Sequence, residues 1–276
     1  MKRNSRRYSI ERRNKFFEAN RHLVEHEISP GNTVSFVRTV DLTVIEKIRS
    51  SEKAAGQNAS SYTAFVVKAL AASLTEFPYA NRRVCRRIWW PIGCRLQKFH
   101  HCDIAVACER TISGAECVAF ADVLRDSDKL TLQQCNQWLK QLSTADVTNN
   151  RQWRAFSNVV SRLPPWLARW LLLAPNYVPG FWDRYRGAAA IVSSPAKYGV
   201  RAVLGSWAWP IGISFGLVHK VPMVKDDEVV ARPAFELSMN FDRRVMAGAQ
   251  AAKFFSRIVE HLETPANISP HGKPSV

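Results

Sequence analysis

The run Asp242-Arg243-Arg244 places an acid and two permanent cations where an alternating apolar stretch, residues 235–241, gives way to an amphipathic segment over 249–262. A guanidinium keeps its proton at physiological pH and has no acceptor atom. Arg243 can therefore grip a carboxylate or phosphate, or stabilise an oxyanion, but it cannot remove a proton. Two histidine groups offer other chemistry. His22-Leu23-Val24-Glu25-His26 has the spacing that puts both imidazoles on one helical face, as zinc ligands need. No third ligand is evident, so no metal site is assigned, and a solvated amphipathic helix is the default reading. His100-His101, just ahead of a strand over 103–109, is either a titratable base or a pair of plain surface groups.

The elements that must position these residues follow from periodicity and punctuation. Residues 34–41 alternate and predict a strand, after which Asp41 or Thr43 caps a helix to about Ala55. Ser60 or Ser61 opens a second helix over 62–74, apolar nearly all round and so buried. Short strands are expected over 94–99 and 103–109, and a polar helix over 131–142. Residues 153–173 read as helix broken by Pro164-Pro165. Four further strands are expected over 187–193, 211–220, 228–231 and 235–241, before the closing helix. Residues 1–31 form a basic helical arm, 32–263 one domain, and 264–276 a disordered tail. This mixture of strand and helix blocks is an α/β, or two-layer α+β, domain.

The segment Asp242-Arg243-Arg244-Val245-Met246-Ala247-Gly248-Ala249-Gln250-Ala251-Ala252-Lys253-Phe254 resembles the active-site signature of the dihydrolipoyl acyltransferases of 2-oxoacid dehydrogenase complexes. That family pattern reads Asp-His-Arg-x-x-Asp-Gly-Ala-x-Ala-Ala-x-Phe. Arg243 stands where the family has its catalytic His, and Ala247 where it usually has Asp. Further matches are the helix Ser61–Leu74, Phe77-Pro78-Tyr79-Ala80-Asn81, the strand starting Asp103-Ile104-Ala105-Val106, the strand ending at Ser193-Ser194, and the stretch 222–233. No lipoyl domain or Pro/Ala-rich linker is seen, so the chain is similar to short, free-standing members. The resemblance implies a chloramphenicol acetyltransferase-like mixed sheet flanked by helices, assembled as a trimer with sites between subunits. A coenzyme A thioester is the implied acyl donor, and no covalently bound cofactor is expected. A carrier protein or a dehydrogenase-type protein is an implied partner. By the same resemblance Ser193, with Ser194 as fallback, would stabilise the oxyanion; a plain Ser-Ser turn is the alternative. Asp242 and Arg244 keep the family's flanking pair, either to lock the turn by ion pairing or to contact substrate. Arg243 would bind an anionic group or fill a site that has lost its base. Two functions stay open: a diverged acyltransferase, and a non-catalytic structural or regulatory relative.

The chain has 276 residues, 46% hydrophobic and 22% charged, enough for a large core. With 39 Lys+Arg against 23 Asp+Glu, its net charge of +16 favours anionic partners. Basic and aromatic residues interleave over 82–90 and 153–170, which keeps a weaker third class open: a peripheral membrane or anion-binding module. Nucleic acid is disfavoured because no recognised module is present. The apolar run 166–174 is too short to span a bilayer and is expected to be buried within the domain or a trimer. Six cysteines without a Cys-x-x-Cys pair, and no apolar run after the basic start, point to a reduced cytoplasmic chain.

Overall fold

A computed structural model describes residue 15 and residues 30–85, 95–110 and 118–265. The chain order is β1 (Thr33–Asp41), α1 (Thr43–Ala54), α2 (Tyr62–Glu76), β2 (Arg82–Cys85), β3 (Arg95–Lys98), β4 (Ile104–Arg110), β5 (Val118–Leu124) and α3 (Leu132–Ser143). There follow α4 (Arg151–Arg162), α5 (Pro165–Tyr177), α6 (Pro179–Arg186), β6 (Ala190–Ser193), β7 (Ile211–Phe215), β8 (His219–Lys225), β9 (Glu228–Asp242) and α7 (Gly248–Glu263). The expected arm and tail fall almost wholly outside the described residues, as does the His22–His26 pattern. No helix among the described residues is long and apolar enough to cross a membrane.

Seven strands form one mixed sheet in the order β1-β9-β7-β6-β4-β5, with β8 paired to the first half of β9. The β6 strand runs parallel to both β4 and β7, while the remaining pairs are antiparallel. The central strands are covered on both faces, as period-2 side-chain alternation requires. Ile104, Val106, Ala190 and Val192 point into the larger core, under α2 and α7. Ala105 and Ile191 point the other way, into a smaller cluster around Trp182 and Trp209. The α2 helix is capped by Ser61, whose hydroxyl accepts from Ala64 N, and its run of buried residues makes it the central helix of the larger layer.

Several expected elements differ in the folded chain. The stretches 228–231 and 235–241 are one 15-residue strand, β9, which continues through Pro233. The Pro233 carbonyl accepts from Leu42 N at 2.8 Å, so the proline nitrogen faces the end of β1, where no ladder bond is lost. The stretch 211–220 is split between β7 and β8, and β2, β5 and α6 are additional elements. Gly212 on β7 is required by close approach: a Cβ there would sit 2.1 Å from the Trp207 ring.

The join between β1 and α1 carries a pH-sensitive contact. Asp41 accepts from Thr43 N (2.8 Å) and Thr43 Oγ1 (2.5 Å) through Oδ1, and from Arg232 Nη1 (2.7 Å) through Oδ2. Burial alone would raise this carboxyl, but the bonds from Thr43 and Arg232 outweigh it and hold it below the ordinary 3.8. The group therefore adds stability that is full above about pH 4 and fades as pH falls through its lower folded value. Asp41→Asn is expected to cost about 1–2 kcal/mol at pH 7 and less at pH 3, read by urea denaturation at both pH values. An equal loss at both would remove the ionic contribution.

Candidate active site

The turn that follows β9 is bound from several directions. Asp242 Oδ1 accepts from Arg244 N (2.9 Å) and Nε (3.0 Å), and Oδ2 accepts from Arg244 Nη2 (2.7 Å). The acid and the arginine thus close a fork on the turn itself. Val245 N donates to the Asp242 carbonyl, Asp242 N to that of Pro210 and Arg243 N to that of Asn32, each at 2.9 Å. Arg82 brings Nε and Nη2 to the Val245 carbonyl, at 3.0 and 2.6 Å. With its neighbours engaged, the Arg243 side chain projects into solvent and has no partner among the described residues.

Ala247 precedes the first turn of α7. Its N–H donates to Gln250 Oε1 at 3.2 Å, which is one half of a capping box. The other half needs a side-chain oxygen, which alanine lacks. Ala247→Asp is expected to supply it and to stabilise the chain by about 1 kcal/mol, a rise of roughly 2–4 °C in Tm by calorimetry. No rise would mean that the helix start is already satisfied.

A small cleft of about 50 Å³ lies beside the turn, lined by residues that include Arg83, Trp207, Asn240, Asp242 and Arg244. Asn240 Oδ1 accepts from Ser35 Oγ (2.5 Å) and Gly205 N (3.2 Å), while its Nδ2 and Trp207 Nε1 are buried without a partner among the described residues. Arg83 is 3% exposed, and burial pulls it down to about 10. Its guanidinium lies 4.2 Å from the Trp182 ring centroid and donates to Gln97 Oε1 at 2.8 Å. Arg82 and Arg83, read from sequence as part of a surface basic stripe, are therefore internal fasteners. Residues 86–94 of that stripe lie outside the described residues.

Ser193 and Arg243 are not brought together within one chain. Ser193 is in register with Ser214 on β7, and Ser214 with Ser238 on β9, five residues before Arg243. That is roughly 16 Å along the strand and roughly 10 Å across two strand spacings. Ser194 Oγ donates to the Phe215 carbonyl (3.0 Å) and accepts from Ala196 N (3.4 Å), a turn-forming pattern. The half-buried Ser193 hydroxyl has no partner among the described residues.

His101 belongs to a different group. Its Nε2 lies 2.9 Å from Asp183 Oδ1 and 3.5 Å from Asp103 Oδ2, at the start of β4. By register that is three strand spacings from Asp242, roughly 14 Å, too far within one chain to stand in as a base at the turn. The three residues are of metal-ligating type, but Arg125 already pairs with Asp103 Oδ2. The four described cysteines are free thiols, and burial pushes Cys108 and Cys135 up to about 11, away from reactivity. On α5, Ala168 and Leu173 are buried while Trp166 and Trp170 are 65% and 66% exposed, so the protomer covers only one face of the run 166–174.

The family model for the 2-oxoacid dehydrogenases acyltransferase (catalytic domain) matches residues 25–151 and 209–269, well over half of the chain. The dihydrolipoyllysine-residue acetyltransferase component of the pyruvate dehydrogenase complex of Staphylococcus aureus is 29% identical over 97 residues, covering 33% of this chain and 21% of that protein. Its Bacillus subtilis counterpart is 24% identical over 245 residues, covering 85% and 46%. The chain thus spans less than half the length of these curated relatives. The cubic core of the pyruvate dehydrogenase multienzyme complex superposes with a TM-score of 0.70 at 19% identity, covering 96% of this chain and 95% of that one. A probable dihydrolipoamide acetyltransferase from Listeria monocytogenes gives 0.64 at 18%, covering 97% of each chain. Both share the mixed sheet with its helical layer. With a seven-stranded mixed sheet, the strand–turn–helix around Asp242–Arg244 and this match, the chain belongs to the 2-oxoacid dehydrogenase acyltransferase catalytic-domain family.

Proposed function

We propose that this chain is a diverged acyltransferase that works as a homotrimer and takes its acyl group from a coenzyme A or carrier thioester. Arg243 binds an anionic group of a substrate, and Ser193 of a neighbouring copy hydrogen-bonds the developing oxyanion. The observation that carries this reading is the retained turn, in which the Asp242–Arg244 fork leaves the Arg243 guanidinium unpaired and projecting. The separation of Ser193 from Arg243 within one chain supports a site shared between copies. A positioned neutral amine needs little base, so orientation supplies a modest rate. A dehydrogenase-type protein or an acyl carrier would then be the partner, as the assemblies of the relatives suggest.

The test is complementation. Ser193→Ala and Arg243→Ala are each expected to lack transfer, and co-refolding the two should restore a fraction of it through mixed trimers. No recovery, with trimers present by light scattering, would exclude a shared site. A second reading, a non-catalytic subunit, is favoured by the guanidinium at position 243, which cannot accept a proton as a base must. It predicts that acetyl-coenzyme A raises the melting temperature while no variant pair transfers acyl groups.

A further inference from the structure

Two buried N–H groups beside the Asp242 turn have no acceptor among the described residues. Met239 and Phe241 point into the larger core, so Asn240 between them points to the opposite face of the sheet. Its Oδ1 accepts from the backbone N–H of Gly205, which fixes which end of the amide is oxygen. Its Nδ2 is therefore a donor left over, in a side chain whose residue is 2% exposed. Trp207 follows Gly205 by two positions, and its Nε1 is likewise buried and unpartnered. Register brings the two together. Asn240 on β9 lies opposite Gly212 on β7, so their Cβ positions share a face, about 4.5–5.5 Å apart. Trp207 Nε1 lies 2.4 Å from where a Gly212 Cβ would stand. The two N–H groups are thus neighbours, and both residues line the cleft of about 50 Å³.

The third group is a charge. Arg83 lines the same cleft and is 3% exposed, yet the acceptors it meets are neutral: Gln97 Oε1 at 2.8 Å and the carbonyls of Pro175 and Asn176 at 3.3 and 3.4 Å. It has no carboxylate partner among the described residues, and residues 86–94, which follow β2, contain no Asp or Glu. Asp242, the one carboxylate of the lining, is closed by the Arg244 fork. A buried cation without a counter-charge is costly, as is a buried donor without an acceptor.

We propose that the cleft is a binding site for one small monovalent anion, of the size of chloride or formate, which accepts from Asn240 Nδ2 and Trp207 Nε1 and offsets the charge of Arg83. A water molecule satisfies the N–H groups but not the guanidinium, and a cation meets only donors and a like charge. The volume exceeds the roughly 10–15 Å³ that one water needs and is far below the roughly 300–1,000 Å³ of pockets for larger organic ligands. The bound anion ties the loop that carries Gly205 and Trp207 to β9 and β2, and so stiffens the turn that presents Arg243. The site uses neither Arg243 nor Ser193 and does not rest on acyl transfer.

Thermal shift of the full chain in sodium chloride against sodium gluconate, at one ionic strength, reads the site, because gluconate is too large to enter. Chloride is expected to raise the Tm saturably above the gluconate baseline, and formate should do the same. Asn240→Asp keeps the oxygen that Ser35 and Gly205 bind but replaces Nδ2 by a second carboxylate oxygen, and it should abolish the chloride increment. Trp207→Phe removes the other donor and should weaken chloride about tenfold. Iodide gives a readout that needs no variant. Collisional quenching of the exposed Trp166 and Trp170 grows linearly with iodide, whereas the tryptophans of the cleft should add a saturable part that chloride displaces. Equal Tm values in chloride and gluconate would overturn the site and leave water as its occupant. An unchanged chloride increment in either folded variant, or iodide quenching with no saturable part, would overturn it as well. None of these readouts changes if the chain proves unable to transfer acyl groups.

Discussion

Lys68→Ala is expected to destabilise the chain by about 3 kcal/mol, lowering its Tm by roughly 6–12 °C. Lys68 is 6% exposed in the middle of α2. Its ammonium donates to the carbonyls of Ser127 (3.1 Å), Asp128 (3.0 Å) and Leu130 (2.6 Å), in the turn that carries the chain from β5 to α3. The same turn is also held by Ser127 N on the Cys102 carbonyl (2.8 Å), Asp126 N on Asp103 Oδ1 (2.9 Å) and Arg125 on the Asp183 and Arg184 carbonyls (2.8 and 2.6 Å). Burial lowers the lysine below its ordinary value, only partly offset by Cys135 and Asp128, so ammonium and carbonyls are mutually dependent. Removing it strips three acceptors at once and leaves a hole beneath the turn. Lys68→Met fills the hole without restoring a donor, and it should recover only the packing part, staying about 2 kcal/mol below wild type. Urea melts of the two variants separate these contributions. A loss under about 0.5 kcal/mol for Lys68→Ala would mean that the turn is held elsewhere.

Arg243→His is expected to raise acyl transfer from acetyl-coenzyme A to a small dithiol by about 10², the low end of what a positioned base supplies. That factor corresponds to about 2.7 kcal/mol of barrier. The backbone of the turn is already set by the Asp242–Arg244 fork and by Arg82 on the Val245 carbonyl, so the new imidazole inherits a formed scaffold. The Arg243 side chain is exposed and makes no hydrogen bond or ion pair among the described residues, so its removal breaks none there. The variant's rate should climb with pH through about 6.5 as the imidazole loses its proton, whereas the wild-type rate should not follow that titration. Arg243→Ala is the control and should show no gain. If the histidine variant stays at the wild-type rate with a flat pH profile, the replacement of the base is not what limits the chemistry.

Much of the scaffold can be read along the chain because its causes are local. The alternation over 34–41, the Ser61 cap of α2, the Thr131 capping box of α3 and the amphipathic α7 each depend on residues within a few positions of one another. The signature around Arg243 is equally local, and its spacing carries the family assignment. Other elements escaped this reading for physical reasons. The four-residue β2 is half arginine, and its arginines point inward to carbonyls that lie far away in sequence, on Val245 and Pro175. The β9 strand runs through Pro233 only because β1 ends there, and α6 begins at Pro179-Gly180, a pair that reads as a break.

By itself the sequence determined which backbone segments are helix or strand wherever propensity, caps and periodicity agree, and it determined that a permanently charged Arg243 occupies the turn. Only the tertiary structure decided that Ser193 lies several residues along the sheet and two strands away from Arg243, that Arg83 is buried against Trp182, and that α4–α6 enclose a cavity against β5. Strand order, register and side-chain burial arise from contacts between distant residues, and no local pattern encodes which distant partner a strand or an arginine will meet.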